Sequence, residues 1–390
     1  MSEDRGGLDG KRFDATGAIS RRRLQGGALG AFAALAAARG AMAWPGVPAP
    51  SPEAQPDANA LFLALGSVAP HRFAAGEVRF ARTESLPALQ GLALAAITMQ
   101  PRAVRELHWH NNADELTHIR SGSGVAIIFY DGTSAVVPLQ PGTLVFFPQG
   151  AAHAIWNASD EPMEMILGFD TASPETINFS ASLPFVPSQV IAQAGGVEPG
   201  AAPFLPTAGI GFAVPLAGEP PAPTGNASEF STMMAAVDLE TFPGGSRRLT
   251  SEKNIPRMSG IKTTILTLKP GGTRLPHWHP HMNELAYCLD GRVQMGIIGQ
   301  DDLEQTAVLS PGDLGFVPLN WFHYLTNVGE TEATIVLYHN AIPQGVIDLK
   351  DVLAWFPPEL LAASFGLDGE AFAGLAGGNA PIIAARNGAD

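Results

Sequence analysis

A histidine motif that occurs twice is the feature of this sequence that most limits how the chain can fold. His108-Trp109-His110 recurs as His277-Trp278-His279, and in each copy a glutamate, Glu115 or Glu284, follows the second histidine at the same distance. A repeat with matched spacing indicates two homologous domains, each built from the same structural unit. The chain is therefore expected to form one architecture twice.

A second block of the repeat supports an all-β architecture. Its two copies are Pro141-Gly142 through Pro148 with His153 and Asn157, and Pro311-Gly312 through Pro318 with His323 and Asn327. Nearby runs rich in β-branched and aromatic residues are typical of strands, and they lie at 125–129, 143–147, 261–268 and 335–338. The 43 glycines and 33 prolines fit many short strands joined by turns. Together these features predict two β-barrels.

Each copy of the repeat carries four side chains that can bind a divalent metal. Because alternate side chains of a strand share one face, His108 and His110 are expected to point into the same barrel. Glu115 follows on the returning strand, and closure of the barrel would bring His153 to the same place. The second set consists of His277, His279, Glu284 and His323. Three imidazoles and one carboxylate leave coordination positions open, but this donor set does not choose among Mn, Fe, Ni, Cu and Zn.

The remaining histidines and the cysteine are expected to have other roles. His118 and His339 are interpreted as ordinary polar residues, and His281 as a turn residue. Cys288 could approach the second metal site, but a buried, inert thiol is the favoured interpretation. A single cysteine allows no disulfide within the chain and excludes thiolate-rich metal sites.

The charge of the chain limits the kind of partner it can bind. A formal net charge of −14 argues against nucleic acid, whose phosphates bind basic surfaces. The overall field also repels a small anionic substrate. Such a substrate would need local positive charge from a metal or an arginine.

Residues 1–43 are interpreted as a twin-arginine signal peptide. Ser20-Arg21-Arg22-Arg23-Leu24-Gln25 precedes a weakly apolar run, and Ala41-Met42-Ala43 provides the small residues that a signal peptidase requires. The apolar run at 26–38 is too short to span a membrane. The mature protein is expected to be periplasmic or secreted, without a membrane span, after export in folded form by the twin-arginine machinery.

Composition and the repeat divide the rest of the chain into five segments. These are an N-terminal linker or arm at 44–75, a first barrel domain at 76–195, an inter-barrel linker at 196–230, a second barrel domain at 231–346, and C-terminal helices and a tail at 347–390. Two short helices are expected in the last segment, because its apolar spacing is helical and Pro357-Pro358 interrupts it.

The motif region resembles the bicupin oxalate decarboxylase family of the cupin superfamily. The resemblance rests on Arg105-Glu106-Leu107-His108-Trp109-His110, on Phe147-Pro148-Gln149-Gly150, and on the repetition of this pattern between Arg274 and His323. It extends from about Gly76 to Leu367. It implies two tandem cupin barrels (the double-stranded β-helix or jelly roll) with short accessory helices, and a homo-oligomeric assembly.

The same resemblance implies a cofactor, a substrate and a carboxy-lyase reaction. Manganese would occupy both ligand sets, and the first site would convert oxalate to formate and carbon dioxide in a reaction that depends on manganese and dioxygen. Arg105 would hold the free carboxylate of oxalate, since a guanidinium can pair with a metal-bound dicarboxylate. Glu175, on a lid segment at 173–176, would transfer the proton.

Two departures from the family pattern keep other functions open. The lid segment contains Pro174 and is shorter than in the family, and Leu337 stands where a second acid is expected. The second metal is therefore interpreted as structural, or as a site of different chemistry. The alternatives are an oxidase that releases hydrogen peroxide from oxalate or another small carboxylate, and a non-catalytic periplasmic bicupin that binds a metal or a ligand.

Overall fold

The computed structural model describes residues 60–198, 200, 211–300, 303–340, 345–373 and 380–385. The predicted signal peptide at 1–43 and the first half of the predicted arm, 44–59, lie outside the described residues. None of the described helices is long and apolar enough to cross a membrane.

Strands dominate both halves. The first fourteen are β1 Phe62–Ala64, β2 His71–Phe73, β3 Gly76–Ala81, β4 Ala93–Met99, β5 Ala103–Trp109, β6 Glu115–Ser121, β7 Gly124–Tyr130, β8 Thr133–Leu139, β9 Thr143–Phe147, β10 Ala152–Asn157, β11 Met163–Phe169, β12 Ile177–Asn178, β13 Ala213–Pro215 and β14 Thr224–Gly225. The rest are β15 Ser231–Met233, β16 Leu239–Phe242, β17 Gly245–Leu249, β18 Lys262–Leu268, β19 Thr273–Trp278, β20 Glu284–Asp290, β21 Val293–Ile298, β22 Glu304–Leu309, β23 Asp313–Val317, β24 Phe322–Asn327, β25 Ala333–His339, β26 Ile347–Asp348 and β27 Ile382–Ile383. All four runs predicted as strands fall on strands.

Helices are few and short. In the described part of the chain the α-helices are α1 Phe179–Ser182, α2 Ser188–Gly195, α3 Ala227–Phe230, α4 Leu349–Trp355 and α5 Pro358–Ser364, with 3-10 turns at Leu65–Ser67, Leu183–Phe185, Met234–Ala236 and Gly369–Phe372. The two helices expected after residue 347 are present as α4 and α5, and Pro357-Pro358 separates them.

Each barrel consists of two sheets whose strands run antiparallel. The first barrel has the orders β15-β9-β6-β11-β4-β3-β2 and β12-β5-β10-β7-β8-β14, with β13 also paired to β5. The second has the orders β1-β23-β20-β25-β18-β17-β16 and β22-β21-β24-β19-β26, with β27 also paired to β19. This is the expected all-β fold of two tandem jelly-roll barrels with short accessory helices.

Burial alternates along the strands that carry the late histidines. In β10 the buried residues are His153, Ile155 and Asn157, and in β24 every second residue is buried in the same way. This period of two is what a strand requires when one face lines a barrel. It places one histidine of each barrel in the interior.

The barrels exchange short edge strands, which the predicted domain boundaries do not include. β1, within the predicted arm, pairs with β23 of the second barrel. β15, at the start of the predicted second domain, pairs with β9 of the first barrel. Each exchanged strand covers a sheet edge that would otherwise expose unpaired backbone groups.

The predicted linker at 196–230 also contributes to the first barrel. β13 pairs with β5, and β14 pairs with β8. Ala213 is fully buried, and Phe212 stacks on Phe73 at a ring-centroid distance of 4.7 Å. A short apolar run inside this proline- and glycine-rich segment packs on the barrel, because burial of its side chains there is favourable.

Candidate metal centres and active site

The first barrel brings its four predicted ligands together. His108 lies on β5 and His110 just after it, Glu115 begins β6, and His153 lies on β10, directly opposite His108 in the strand pairing. All four side chains are buried, and their potential ligand atoms lie within 4.8 Å of one another. Four residues from three strands thus converge on one point inside the barrel.

Backbone carbonyls orient the three imidazoles. His108 Nδ1 donates to the carbonyl of Glu106 at 2.7 Å, and His153 Nδ1 donates to Ala151 at 2.8 Å. His110 Nδ1 donates to the carbonyl of Glu175 at 2.9 Å. Because a carbonyl can only accept, Nδ1 carries the proton and Nε2 is left as the free donor atom for a metal.

The protonation states of the first site suit a divalent cation. Burial, followed by the charges of His153 and Arg105, holds the pKa of His108 well below its usual range. Burial tends to raise the pKa of Glu115, but the neighbouring imidazoles of His110 and His153 outweigh it and leave the pKa far below normal. His153 Nε2 is buried without a hydrogen-bond partner in the described part of the chain. Neutral imidazoles, an ionised carboxylate and an unpartnered nitrogen are what a metal site requires.

The second barrel repeats this arrangement. His277, His279, Glu284 and His323 are buried, with potential ligand atoms again within 4.8 Å of one another. The carbonyls of Leu275, Gly345 and Trp321 orient the three histidines. Among the described residues, Glu284 Oε1 and His323 Nε2 are buried without hydrogen-bond partners and lie 3.6 Å from each other. The described residues therefore form two His₃Glu metal-binding sites.

A fifth side chain contacts the second site, and the sequence analysis did not assign it there. His339 Nε2 donates to Glu284 Oε2 at 2.9 Å, and the His339 ring lies 5.4 Å from that of His279. The interpretation of His339 as an ordinary polar residue was wrong. The repeat gave no signal for this contact, because the residue at the same interval after His153 is Phe169.

A cavity opens onto the first site, and its empty space, including the part that is open to solvent, is about 370 Å³. Its polar lining consists of Arg105, Thr176 and three of the ligands, and its apolar lining consists of Phe80, Ala95, Ile97, Ile155, Leu167, Phe169, Pro174 and Phe212. A small, mostly apolar cavity with a few converging polar groups is typical of a small-molecule site.

Arg105 is the cation of this cavity. It is 2 % exposed, its guanidinium lies 3.8 Å from the centroid of the Phe212 ring, and its Nη1 donates to Asn178 Oδ1 at 3.0 Å. Burial lowers the pKa of Arg105 to about 9, although Glu115 and Glu106 oppose the shift. The guanidinium therefore keeps its positive charge at neutral pH.

A known protein family matches both halves of the chain. The family model described as Cupin matches residues 68–200 and again 240–372, and each match contains one of the His₃Glu sites. The chain belongs to the cupin family. Residues 68–200 and 240–372 are its first and second cupin domains.

Similar proteins of known activity confirm the resemblance to bicupin oxalate decarboxylases. Oxalate decarboxylase OxdC of Bacillus subtilis is 27% identical over 308 residues, which cover 75% of this chain and 78% of that protein. A probable oxalate decarboxylase of Arthroderma benhamiae is 29% identical over 307 residues, 75% of each chain. A solved structure of the Bacillus subtilis decarboxylase, from work on its Mn(II) centres, aligns with a TM-score of 0.73 over 84% of this chain and 89% of that chain. At 23% identity, that alignment supports the fold alone.

The lid segment of the first cupin domain closes one side of the cavity, but its carboxylate faces away. Pro174 and Thr176 line the cavity, whereas Glu175 is exposed and its Oε2 accepts a hydrogen bond from Asn111 Nδ2 at 2.8 Å. Glu175 does reach the metal site through its backbone, since its carbonyl holds His110. The structure thus places the predicted proton carrier next to the cavity, with its side chain turned outward.

Sequence reasoning also missed Phe212 and Asn178. Both contact Arg105, and Phe212 falls in what the sequence indicates is a linker. Neither residue lies in a repeated motif, so spacing gave no signal for them. The topology alone brings β12 and β13 alongside β5.

Proposed function

We propose that this cupin is a manganese- and dioxygen-dependent carboxy-lyase that converts oxalate to formate and carbon dioxide in its first domain. One observation carries the proposal: Arg105 is a buried cation without a carboxylate partner among the described residues, and it lines the same cavity as a His₃Glu site. The oxalate decarboxylases among its relatives point to the same substrate.

The first site has the donor chemistry for such a cofactor. His108, His110, Glu115 and His153 would hold manganese, which would supply Lewis-acid and redox chemistry to the substrate. The Mn(II) centres of the Bacillus subtilis decarboxylase, which is a 27% identical relative, favour manganese over other divalent metals.

Arg105 would bind and orient the other end of the substrate. A guanidinium presents paired donors that match a carboxylate, and such charge-assisted bonds are short and directional. The stacked Phe212 ring keeps the guanidinium in place. Apolar walls around the cavity exclude water, which strengthens the attraction between Arg105 and the dianion.

The reaction requires a proton to be moved but no net oxidation. Oxalate and one proton give formate and carbon dioxide: the carbon–carbon bond breaks, and the proton ends on the formate carbon. Glu175 is the proposed carrier, because it is the ionisable side chain on the segment that bounds the cavity. To act, its carboxylate must leave Asn111 and turn inward. Segments that close over a substrate in this way are common in enzymes.

The outward position of Glu175 favours a second candidate, an oxalate oxidase. Without a proton donor at the carbon, the substrate would be oxidised fully: oxalate, dioxygen and two protons give two carbon dioxide and one hydrogen peroxide. The same cavity, metal and Arg105 would serve both reactions. Only the products separate them.

Assaying formate and peroxide together tests these proposals. Protein with measured manganese content is mixed with oxalate under air at mildly acid pH. Formate equal to the oxalate consumed, with little peroxide, supports decarboxylation, whereas peroxide supports the oxidase. Absence of both products from protein with both sites filled would reject both enzyme functions and favour a non-catalytic binding protein.

We also propose that the protein is exported to the periplasm, or secreted, by the twin-arginine pathway. The support is the motif at 20–25, and the metal sites fit export in a folded, metal-loaded state. Replacing Arg21 and Arg22 with lysine should keep the protein in the cytoplasm, as measured by fractionation. Unchanged export of that variant would contradict the assignment.

Homo-oligomeric assembly is a further part of the proposal. Large apolar side chains are exposed on and near the short helices: Trp355 is 82%, Phe185 79% and Phe365 64% exposed. Exposed aromatic groups of this size are typical of surfaces that become buried in an interface.

A further inference from the structure

Asn178 and Asp348 occupy equivalent positions in the two cupin domains. Asn178 pairs with His108 through β12 and β5, and Asp348 pairs with His277 through β26 and β19. Each residue faces the arginine that lies three residues before the first histidine ligand, Arg105 or Arg274. The domains therefore share this contact, but one uses a neutral amide and the other a carboxylate.

In the first domain the contact leaves the arginine charge free. Arg105 Nη1 donates to the amide oxygen of Asn178 at 3.0 Å and to the carbonyl of Phe212 at 3.3 Å. Both acceptors are neutral. No carboxylate in the described part of the chain forms an ion pair with Arg105, so its positive charge remains available inside the cavity.

In the second domain the equivalent charge is already neutralised. Arg274 Nη1 forms an ion pair with Asp348 Oδ1, and it also donates to the carbonyl of Pro381 at 3.3 Å. Arg274 is buried at 6% exposure, and Asp348 is partly buried at 13%. Breaking a buried ion pair to admit a substrate would leave Asp348 as an uncompensated charge, which is strongly unfavourable.

The formal charges of the two sites show how this difference affects the binding of an anion. Among the groups that line the first cavity, the two charges of a divalent metal, the negative Glu115 and the positive Arg105 sum to two positive charges, which match an oxalate dianion. The buried carboxylate of Glu106 is not part of that lining and accepts a hydrogen bond from the backbone N–H of Ser180. In the second site, Asp348 removes one of the two positive charges, so a bound dianion would leave a net negative charge in a buried site.

We propose that the residue at this position determines which cupin domain accepts the dicarboxylate: Asn178 opens the first site to it, and Asp348 closes the second. The inference deepens the proposed function and rests on it, because it assumes a small dicarboxylate as the ligand. It assigns a specificity role to two residues outside the metal-binding motif.

Exchanging these residues is a conservative test. Asn and Asp have nearly the same shape, so each fits the other's position. Asn178 and Asp348 also immediately precede α1 and α4, at the N-cap, where Asn and Asp are about equally favourable. The fold should therefore tolerate Asn178→Asp and Asp348→Asn.

Calorimetric titration with oxalate measures the effect independently of turnover. Manganese-loaded protein is titrated without dioxygen, and the metal content of every variant is measured first. The parent chain should bind one oxalate. Asn178→Asp should weaken that binding about 10- to 100-fold, the usual loss for one charge-assisted contact. Asp348→Asn should bind a second oxalate, whereas the control Asp348→Glu, which keeps the charge, should not.

The outcomes separate this inference from the proposed function. If the parent chain binds two oxalates, or if Asp348→Asn with both metals bound still takes only one, the assignment of specificity is overturned while the proposed function stands. If the parent chain binds no oxalate, the proposed substrate itself is wrong. The combined variant Asn178→Asp, Asp348→Asn should again bind one oxalate, now in the second domain.

Discussion

The two sites use the same four ligands but hold their carboxylates with different side chains. Glu115 Oε1 accepts a hydrogen bond from Thr117 at 2.6 Å, whereas the equivalent of Thr117 in the second domain is Ala286. There His339 donates to Glu284 instead, from the strand position that Phe169 occupies in the first domain. In each domain one further side chain thus orients the glutamate ligand, and that side chain comes from a different strand position in the two domains.

Replacing His339 with phenylalanine should weaken the second metal site alone. The variant places phenylalanine where the first domain has Phe169, but Glu284 loses its hydrogen bond from His339. Loss of such a contact commonly costs about 10- to 100-fold in metal affinity. Manganese retained after dialysis against a chelator should fall from two to one per chain. Thr117→Ala is the matched control and should loosen the first site instead. Two ions retained by His339→Phe would contradict this account.

Replacing Glu175 with alanine should remove formate production and leave the metal in place. Loss of a positioned proton donor typically lowers a rate by about 10²- to 10⁴-fold. Formate release and manganese content are measured together, with Glu161→Ala, another exposed acid, as the control. If Glu175→Ala turned over normally, another group would have to carry the proton.

Strands that carry a period-two or β-branched pattern could be predicted, and the shortest strands could not. The runs at 125–129 and 143–147 lie on β7 and β9 because their apolar side chains fill a barrel. β1, β13 and β15 have three residues each, too few to show a period, and they pair with strands far away in sequence. The metal ligands were predictable from spacing, whereas Asn178, Phe212 and His339 depend on how distant strands meet.

A pair of carboxyl groups at the ends of β6 and β11 should make stability depend on pH. Asp170 Oδ1 accepts a hydrogen bond from the backbone N–H of Asp114 at 2.8 Å, and both carboxyl groups lie against Gly260. Burial, and then the charge of Asp114, raise the pKa of Asp170 to about 6. The protonated form is thus favoured in the folded state, so this contribution is fully present below about pH 4 and is lost as the pH rises through 6.

Replacing Asp170 with asparagine should remove that dependence. The second domain has Asn283 and Asn340 at the same positions with the same backbone contact, so the amide fits. Above pH 7 the variant should exceed the parent chain by about 1 kcal/mol in free energy of unfolding, a figure reduced for partial exposure. The difference should vanish near pH 4 in denaturant titrations. A constant difference at all pH values would show that Asp170 does not titrate as described.

The two domains form one body through their facing sheets. Tyr338 of the second domain donates from its hydroxyl to the carbonyl of Ile166 at 3.3 Å, and its ring packs on Gly168, where a Cβ would lie 2.3 Å from it. One hydrophobic core contains residues from both domains. Because the two domains share this core and exchange strands, we expect them to fold together. Each metal site nevertheless keeps its own set of ligands.

Assembly should depend on the apolar surface of the helices. Replacing Trp355 and Phe365 with glutamate would place charges where an interface excludes water, so the oligomer should dissociate to single chains in light scattering. Phe129→Glu is the control, because Phe129 is 59% exposed on a strand, β7, and not on a helix. An unchanged mass for the double variant would place the interface elsewhere.

The central claim is that the first cupin domain turns oxalate into formate and the second does not. Formate production by Arg105→Lys and Arg274→Lys, compared at equal manganese content, tests it most directly. Lysine keeps the charge but loses the paired donors, so Arg105→Lys should lower kcat/KM by about 10- to 100-fold, and Arg274→Lys should match the parent chain. Equal losses in both variants, or a loss confined to Arg274→Lys, would contradict the account.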